Sequence, residues 1–583
     1  MRLSLPLILF FWCWAGLTAV RLQAQDLGNL KGQKPVTLHG SLSAGFNYYS
    51  TASAGTGNFQ GYGFGNSPSY FFQANPVLSI YGLALPMSLL IASQDKQYSL
   101  PFNRFGLSPY YKWAKLHLGW RSLNFSQFTL GGQQMLGAGF ELTPGKLKAS
   151  FMYGRFNNAI TDISLYNNLN NATPIFLRKG YAARLGYGST AHFIELSYLQ
   201  AEDDLHSVKG IALDSLPAMP AANQAAGLKG QVTLRKKLII HADAGASYYI
   251  RNIASPLRET DDPWVRYAVF PPRFSSRIAF AGEAGMRYRM RGGNLRLTYR
   301  RIDPDYRSMG AFYMQTDLEQ VTAGFDQAFL KRKVFLRADL GLQRNNLYNT
   351  AASNSRRTIG NINLNISPSQ AFGIGIQYSN HGISQQIIPQ LQDPATVVRY
   401  DSVLISQVNQ SIAISPRLML NRERPVQHTI NMQASMQSLR SGNETYASQE
   451  YSSNMGKLTY VTAFTGRKIN LSNSLNYFST RSTGARSATL GYNLGLSKQF
   501  LPDTSRAPLI NAVTLSLYGG YFATSLNDRP TGHTITANPA LTITFLKRHS
   551  LQLNANHTAS RNKSAAITQR NQLTFSARYN LSF

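Results

Sequence analysis

The last thirteen residues, "NQLTFSARYNLSF" (571–583), alternate without a break. Leu573, Phe575, Ala577, Tyr579, Leu581 and Phe583 fall on one parity, and Gln572, Thr574, Ser576, Arg578, Asn580 and Ser582 on the other. The same period of two runs through "KLIIHADAGASYYIR" (237–251), "KVFLRADLGLQR" (333–344), "NINLNISP" (361–368) and "AFGIGIQYSN" (371–380). Alternation of this kind predicts strands with one apolar and one polar face. Beyond the N-terminal segment no stretch has convincing helical periodicity.

The connections alternate as well. Tight ones, such as Pro144-Gly145, Arg291-Gly292-Gly293, Lys331-Arg332, Thr465-Gly466-Arg467 and Lys547-Arg548, are followed by longer polar or Pro-rich ones. The long ones lie near 157–175, 202–223, 252–276, 304–315, 346–355, 382–400, 439–451 and 561–569. Short and long in turn is the signature of an up-and-down sheet with turns at one rim and loops at the other. Segments centred near 42, 75, 91, 114, 128, 139 and onward to 577 give about 26 strands, an allowed even number. "LNFSQFTLGG" (123–132) slips phase and reads either as a bulged strand or as a segment folded inward, which leaves 24 as the second count.

Two architectures compete. A soluble sandwich buries its apolar faces against a second sheet, whereas a membrane barrel turns them to lipid and keeps a wet interior. The polar faces are Asn, Ser, Thr, Gln, Gly and Arg rather than the Lys-Glu mixture of a soluble surface. Charged residues are only 15% of the chain, Tyr and Phe number 31 each, and mean hydropathy is -0.22. Tyr48, Tyr153, Tyr187, Tyr248, Tyr378 and Tyr477, near strand ends, suit interfacial girdles. The expected fold class is therefore all-β: a single transmembrane antiparallel up-and-down β-barrel, which must close because lipid offers its edges no hydrogen bonds.

The N-terminus has the form of an export signal. Arg2 precedes an apolar run from Leu3 to about Val20, and Leu22-Gln23-Ala24 supplies a small-residue cleavage site. The expected organisation is a signal peptide at 1–24, a short periplasmic leader at 25–35 and the barrel at 36–583. Cys13, the one cysteine, leaves with the signal, so thiolate chemistry is excluded. No later run approaches the ~18 apolar residues of a membrane helix. The formal charge of +31 falls to +29 with loss of Arg2 and Arg21. For an exported protein the anionic partner implied is phospholipid, lipid A or an anionic solute, not nucleic acid.

Tyr579, Leu581 and the terminal Phe583, with the signal, resemble the terminal assembly signal of bacterial outer-membrane barrel proteins. The resemblance implies recognition by the barrel-assembly machinery, an outer-membrane location, and termini that both lie in the periplasm. Residues 110–156 and "RIDPDYRSMGAFY" (301–313) resemble large outer-membrane proteins of the Bacteroidota group. TonB-dependent receptors share the architecture but carry a large N-terminal plug domain, and only Gln25 to Pro35 stand before the first strand here.

About 26 tilted strands enclose a lumen roughly 50 Å across. Inward loops, with 202–223 and 252–276 as the candidates, or a plug or lipoprotein partner are expected to fill it. Parity points Arg287, Arg289, Arg296, Arg300 and Arg337 into that lumen, with Glu283 and Asp339 as partners. Such arginines either select anions or brace the wall and a plug. The tight turns are basic too, open to phospholipid head groups, to solvent or to an acidic partner. There is no G-x-S-x-G, no H-E-x-x-H and no phosphate loop. His241 and Asp243 share a face without a placed serine, and "DPD" at 303–305 is too sparse for calcium. No enzyme, cofactor or metal is expected. A conduit for polar or anionic solutes or export cargo is the leading reading, and a non-conducting scaffold in an outer-membrane assembly or secretion complex is the alternative.

Overall fold

The computed structural model describes residues 35–583 apart from 56–67, 94–103, 161–174, 209–215, 217, 261–264, 266–267, 312–313, 349–355, 388–402, 444–445, 483, 502–508 and 564–566. The expected signal and all of the leader but Pro35 lie outside the described residues.

Strands from β1 (Val36–Gly55) to β27 (Ile567–Ser582) form one antiparallel sheet. The last strand returns to the first, in register from Ser41↔Ser582 to Ala54↔Gln569. Gly40 and Phe583 exchange backbone hydrogen bonds of 2.8 and 3.1 Å at the end of this seam. The sheet is a closed barrel. No helix among the described residues is long and apolar enough to cross a membrane.

Two short strands share one place in the ring. β4 (Arg104–Leu107) and β5 (Tyr110–Tyr111) lie end to end between β3 (Leu83–Ala92) and β6 (Ala114–Asn124). The ring therefore has 26 positions. The break falls at Ser108-Pro109, where proline has no N–H to give the ladder. Ser108 bonds Pro86 O at 2.9 Å across the gap, and its Oγ lies 3.1 Å from His117 Nδ1. The expected count is met, but one of its members is not a strand. The segment near 128 lies inside the barrel, and the broken strand at 104–111 takes its place.

The outer face is an apolar belt. Leu196, Leu490 and Leu494 are each more than half exposed, and their neighbours of opposite parity are polar or covered. β8 (Leu147–Asn157), β9 (Arg178–Gly188) and β10 (Phe193–Asp203) have 11 residues each. At about 3.3 Å per residue and a tilt near 40° they cover the roughly 25 Å of an outer-membrane belt.

One expectation about the loops needs correction. The connection at 252–276 does not turn inward. Ile253, Val265, Ala268 and Phe270 pack on Ala222, Tyr248 and Ile250, and Val269 N bonds Gln224 Oε1 at 2.9 Å. Ala222, Gln224, Tyr248 and Ile250 all have the parity of the belt, so this loop drapes over the outside. Tyr248 is consequently buried and is not an interfacial girdle residue. In the described part of the 202–223 connection, Leu216 packs against Ile160, Ile175 and Phe176, and Ala221 joins the cluster of Met135, Met152 and Leu199 inside the barrel, while 209–215 and 217 lie outside the described residues.

Belt and lumen parity make a direct test. Leu494→Arg, with its side chain in the belt, is expected to cost about 2–4 kcal/mol of folding stability. Asn493→Arg, one residue away but facing the lumen, is expected to be near neutral. Urea unfolding of the two variants in the same lipid checks this.

Candidate functional site

The lumen has two unlike walls. On β7 (Gly131–Leu142), β8, β9, β10 and β11 (Ala222–Leu234), lumen-parity positions include Met135, Met152, Ala182, Leu199 and Ala225. All five are buried. A soluble-type core has formed inside the barrel, and two inward segments complete it.

The first segment is Phe125–Leu130, the stretch whose alternation slips phase. It leaves the ring between β6 and β7 and crosses the inner face as far as β14 (Gly293–Ile302). Ser126 Oγ donates to Asp243 Oδ1 at 2.6 Å on β12 (Leu238–Ile250). Thr129 Oγ1 is 2.9 Å from Ser197 Oγ, and Arg300 Nη2 donates to Gln127 Oε1 at 3.1 Å. Phe125, Phe128 and Leu130 are almost fully buried. The Arg184 and Arg300 guanidinium groups lie 5.0 and 6.0 Å from the Phe125 and Phe128 rings. Gly245 makes the close approach feasible, since a Cβ there would stand 2.6 Å from both Phe128 Cβ and the Tyr306 hydroxyl.

The second segment, Asp303–Ala311, leaves β14 and packs on the first. Tyr306 donates its hydroxyl to Phe128 O at 2.7 Å, and the two rings meet edge to face at 6.1 Å. Ser308 Oγ bonds Thr129 O at 2.5 Å, and Met309 N bonds Asn223 Oδ1 at 3.0 Å. Burial, with the Asp243 carboxylate nearby, pushes the Tyr306 phenol pKa up, so it stays a donor. Side-chain bonds from these segments reach several strands, so the pair forms an internal buttress against one wall.

The five arginines singled out in the sequence divide by their surroundings. Arg296 reaches Asp326 Oδ1 at 2.5 Å and Asp339 Oδ1 at 2.8 Å. Arg337 bonds Asp339 at 3.2 Å, and Arg300 lies 3.9 Å from Glu283. Asp326 on β15 (Leu318–Phe329) is a partner that strand parity could have supplied, because it stands opposite Arg337 and Asn294 in register. Arg287 and Arg289 on β13 (Ser276–Met290) stand toward the short-turn mouth. Arg289 Nη1 is 3.4 Å from Lys236 O, and among the described residues neither arginine is in an ion pair.

The opposite wall, from β17 (Arg356–Ile366) round to β2 (Ser69–Ile80), is lined differently. Asn361, Asn431, Asn493, Asn538, Asn554 and Ser576 occupy its lumen parity. Cations join them, three of them deep enough to face the pore wall. Lys457 faces Gln433 and Asn476 in register, Arg417 faces Gly373 and Asn431, and Arg578 lies 5.3 Å from the Phe71 ring. All three are exposed, and among the described residues none is in an ion pair. Arg417 and Lys457 are each the one Lys or Arg of their strands, and Arg578 shares β27 with Arg570. Of the clustered arginines, Arg296, Arg300 and Arg337 are the ones that carboxylates hold.

Acid–base groups also assemble. Ser108 Oγ, His117 and Glu141 form a chain, with His117 Nε2 2.8 Å from Glu141 Oε1. Ser108 and His117 are buried, and the chain ties the broken strand to β6 and β7. His241 stands 3.9 Å from Glu283, while the Asp243 carboxylate takes its hydroxyl from Ser126 with no imidazole between. Among the described residues no group of three or more His, Cys, Asp or Glu is placed to hold a metal.

No protein-family model and no curated relative matches the sequence. Solved structures do share its architecture. The translocation pore of the P pilus usher PapC is 10% identical with a TM-score of 0.35, over 94% of this chain and 100% of that one. The copper transporter OprC gives 10% and 0.38 over 94% and 80%. Pseudomonas aeruginosa OccK2 gives 10% and 0.27 over 94% and 98%. The closed antiparallel β-barrel rests on the chain's own strand pairing, and function has to be argued from the chain's own lumen.

The buttress is testable by itself. Tyr306→Phe removes the bond to Phe128 O and leaves a buried carbonyl short of a donor, a local loss of about 1–2 kcal/mol. Hydrogen exchange is expected to speed up in 125–130 and 303–311 while the strands stay protected.

Proposed function

We propose that this barrel is an outer-membrane conduit whose path runs along the uncovered wall and favours polar, anionic solutes or cargo. One observation carries the reading: exposed lumen cations Arg417, Lys457 and Arg578 stand on an amide- and hydroxyl-lined wall with no ion-pair partner among the described residues. Arg287 and Arg289 face them from the other side of the short-turn mouth.

The dimensions support an open path. A lumen roughly 50 Å across is too wide for two segments of six and nine residues lying against one wall to fill. Cations in water-filled pores attract anions by long-range fields that salt screens. Arg296 and Arg337 contribute little to such a field, because Asp326 and Asp339 offset their charge. Their part is to brace β14, β15 and β16 (Val334–Arg344) beside the buttress.

Single-channel recording in planar bilayers tests this. The wild-type barrel is expected to show large steps with anion preference at low salt. Lys457→Gln combined with Arg578→Gln is expected to lower the anion-to-cation permeability ratio about threefold with the conductance retained. Arg296→Gln, which leaves two carboxylates facing each other, is expected to lower stability by about 1–3 kcal/mol. A silent protein that copurifies with bound subunits would favour the scaffold instead.

A further inference from the structure

One backbone geometry occurs at both rims of the barrel and is built from different residues at each. At the loop rim, Asn527 and Asp528 join β24 (Ile510–Leu526) to β25 (Arg529–Phe545) with φ of 48° and 62°. Asn and Asp are among the few side chains at ease in this left-handed region. At the short-turn rim the same pair of left-handed residues is Arg235-Lys236, at 49° and 60°, and again Leu546-Lys547, at 50° and 61°. Leu330, Lys331 and Arg332 place three in succession, at 50°, 56° and 70°. A long cationic side chain gains nothing locally from left-handed backbone, and Asn-Gly would make these turns with less strain. Strain repeated around one rim and avoided at the other points to a role outside folding.

The charge is as lopsided as the geometry. Among the described residues of the short turns, Glu423 is the one carboxylate, against Lys or Arg in eight turns. The loop rim carries Asp204, Asp305, Asp317 and Asp528. The cations also sit at a defined depth, because apolar side chains occupy the same turns. Leu330 is 72% exposed beside Lys331, and Leu546, Trp113 and Tyr81 are nearly half exposed. These side chains extend the belt to the level of the charges. A Lys or Arg there lays its methylenes on hydrocarbon and its head among lipid head groups. The cations recur round the circumference, where a protein partner would need one patch.

We propose that the short-turn rim is a ring-shaped binding surface for anionic glycerophospholipid head groups, setting the depth and orientation of the barrel in its membrane. The proposal holds whatever passes through the lumen. Each cation near an anionic surface adds attraction that fades within a Debye length, so a ring of them acts together and weakens with salt.

The test uses the full-length protein folded into mixed phosphatidylcholine–phosphatidylglycerol vesicles, with spin-labelled lipids reporting occupancy at the protein surface. The wild type is expected to prefer phosphatidylglycerol, and the preference is expected to collapse at high salt. A variant carrying Arg235→Asn, Lys236→Gly, Lys331→Asn, Arg332→Gly and Lys547→Gly is expected to lose that preference about tenfold while unfolding no more easily than the wild type. Equal association of the wild type with both lipids, or a preference indifferent to salt, overturns the proposal without need of the variant. So does a variant that keeps the preference, or a stronger preference for lipid A. Loss of a copurifying acidic protein with lipid selectivity unchanged would assign the ring to that partner and overturn it as well.

Discussion

Everything in this molecule depends on the pairing of β27 with β1. A strand edge in hydrocarbon leaves a row of N–H and C=O groups with no water to take them, at several kcal/mol each. The seam from Ser41↔Ser582 to Ala54↔Gln569 removes that row, and the Gly40–Phe583 bonds finish it. Closure with 26 positions then fixes a wide interior, because circumference grows with strand number. The lumen and its asymmetry follow from that width.

Inside the ring the physics of a soluble core returns on one side only. Phe125 and Leu130 bury themselves against Met135, Met152 and Leu199, and Phe128 and Tyr306 against Ala279, Ala281 and Ile302. Their burial stabilises the inward segments in the way any core does, by removing apolar area from water. The polar atoms of these segments find partners such as Asp243, Ser197 and Asn223, as buried groups must. The opposite wall meets water and needs no such cover. Some of its amides and hydroxyls bond one another, as Asn554 does Ser576, and its few cations keep their fields.

The two sets of arginines illustrate how context sets a charge's role. Arg296 is held between Asp326 and Asp339, so its charge is spent on holding strands together. Lys457 faces Gln433 and Asn476 in register, so no carboxylate opposite it offsets its charge. Carboxylates beside a cation shorten the reach of its field, and density of cations along a strand says little about the field that remains.

Much of this was legible in the chain. Strict alternation, as in 571–583, determined the strands, their two faces and a closed antiparallel ring, because a period of two is imposed by backbone geometry within each strand. Turn chemistry determined which connections are short. The phase slip at 123–132 and the apolar residues at the lumen parity of β7 to β11 together mark a covered wall. Tertiary structure alone decided the rest. Whether 252–276 turned in or out, which arginines met carboxylates, and that Ser126 would reach Asp243 depend on side chains far apart in sequence meeting across the ring. Alternation gives a side chain its face, but its neighbours on that face come from other strands and loops, and no local period records them.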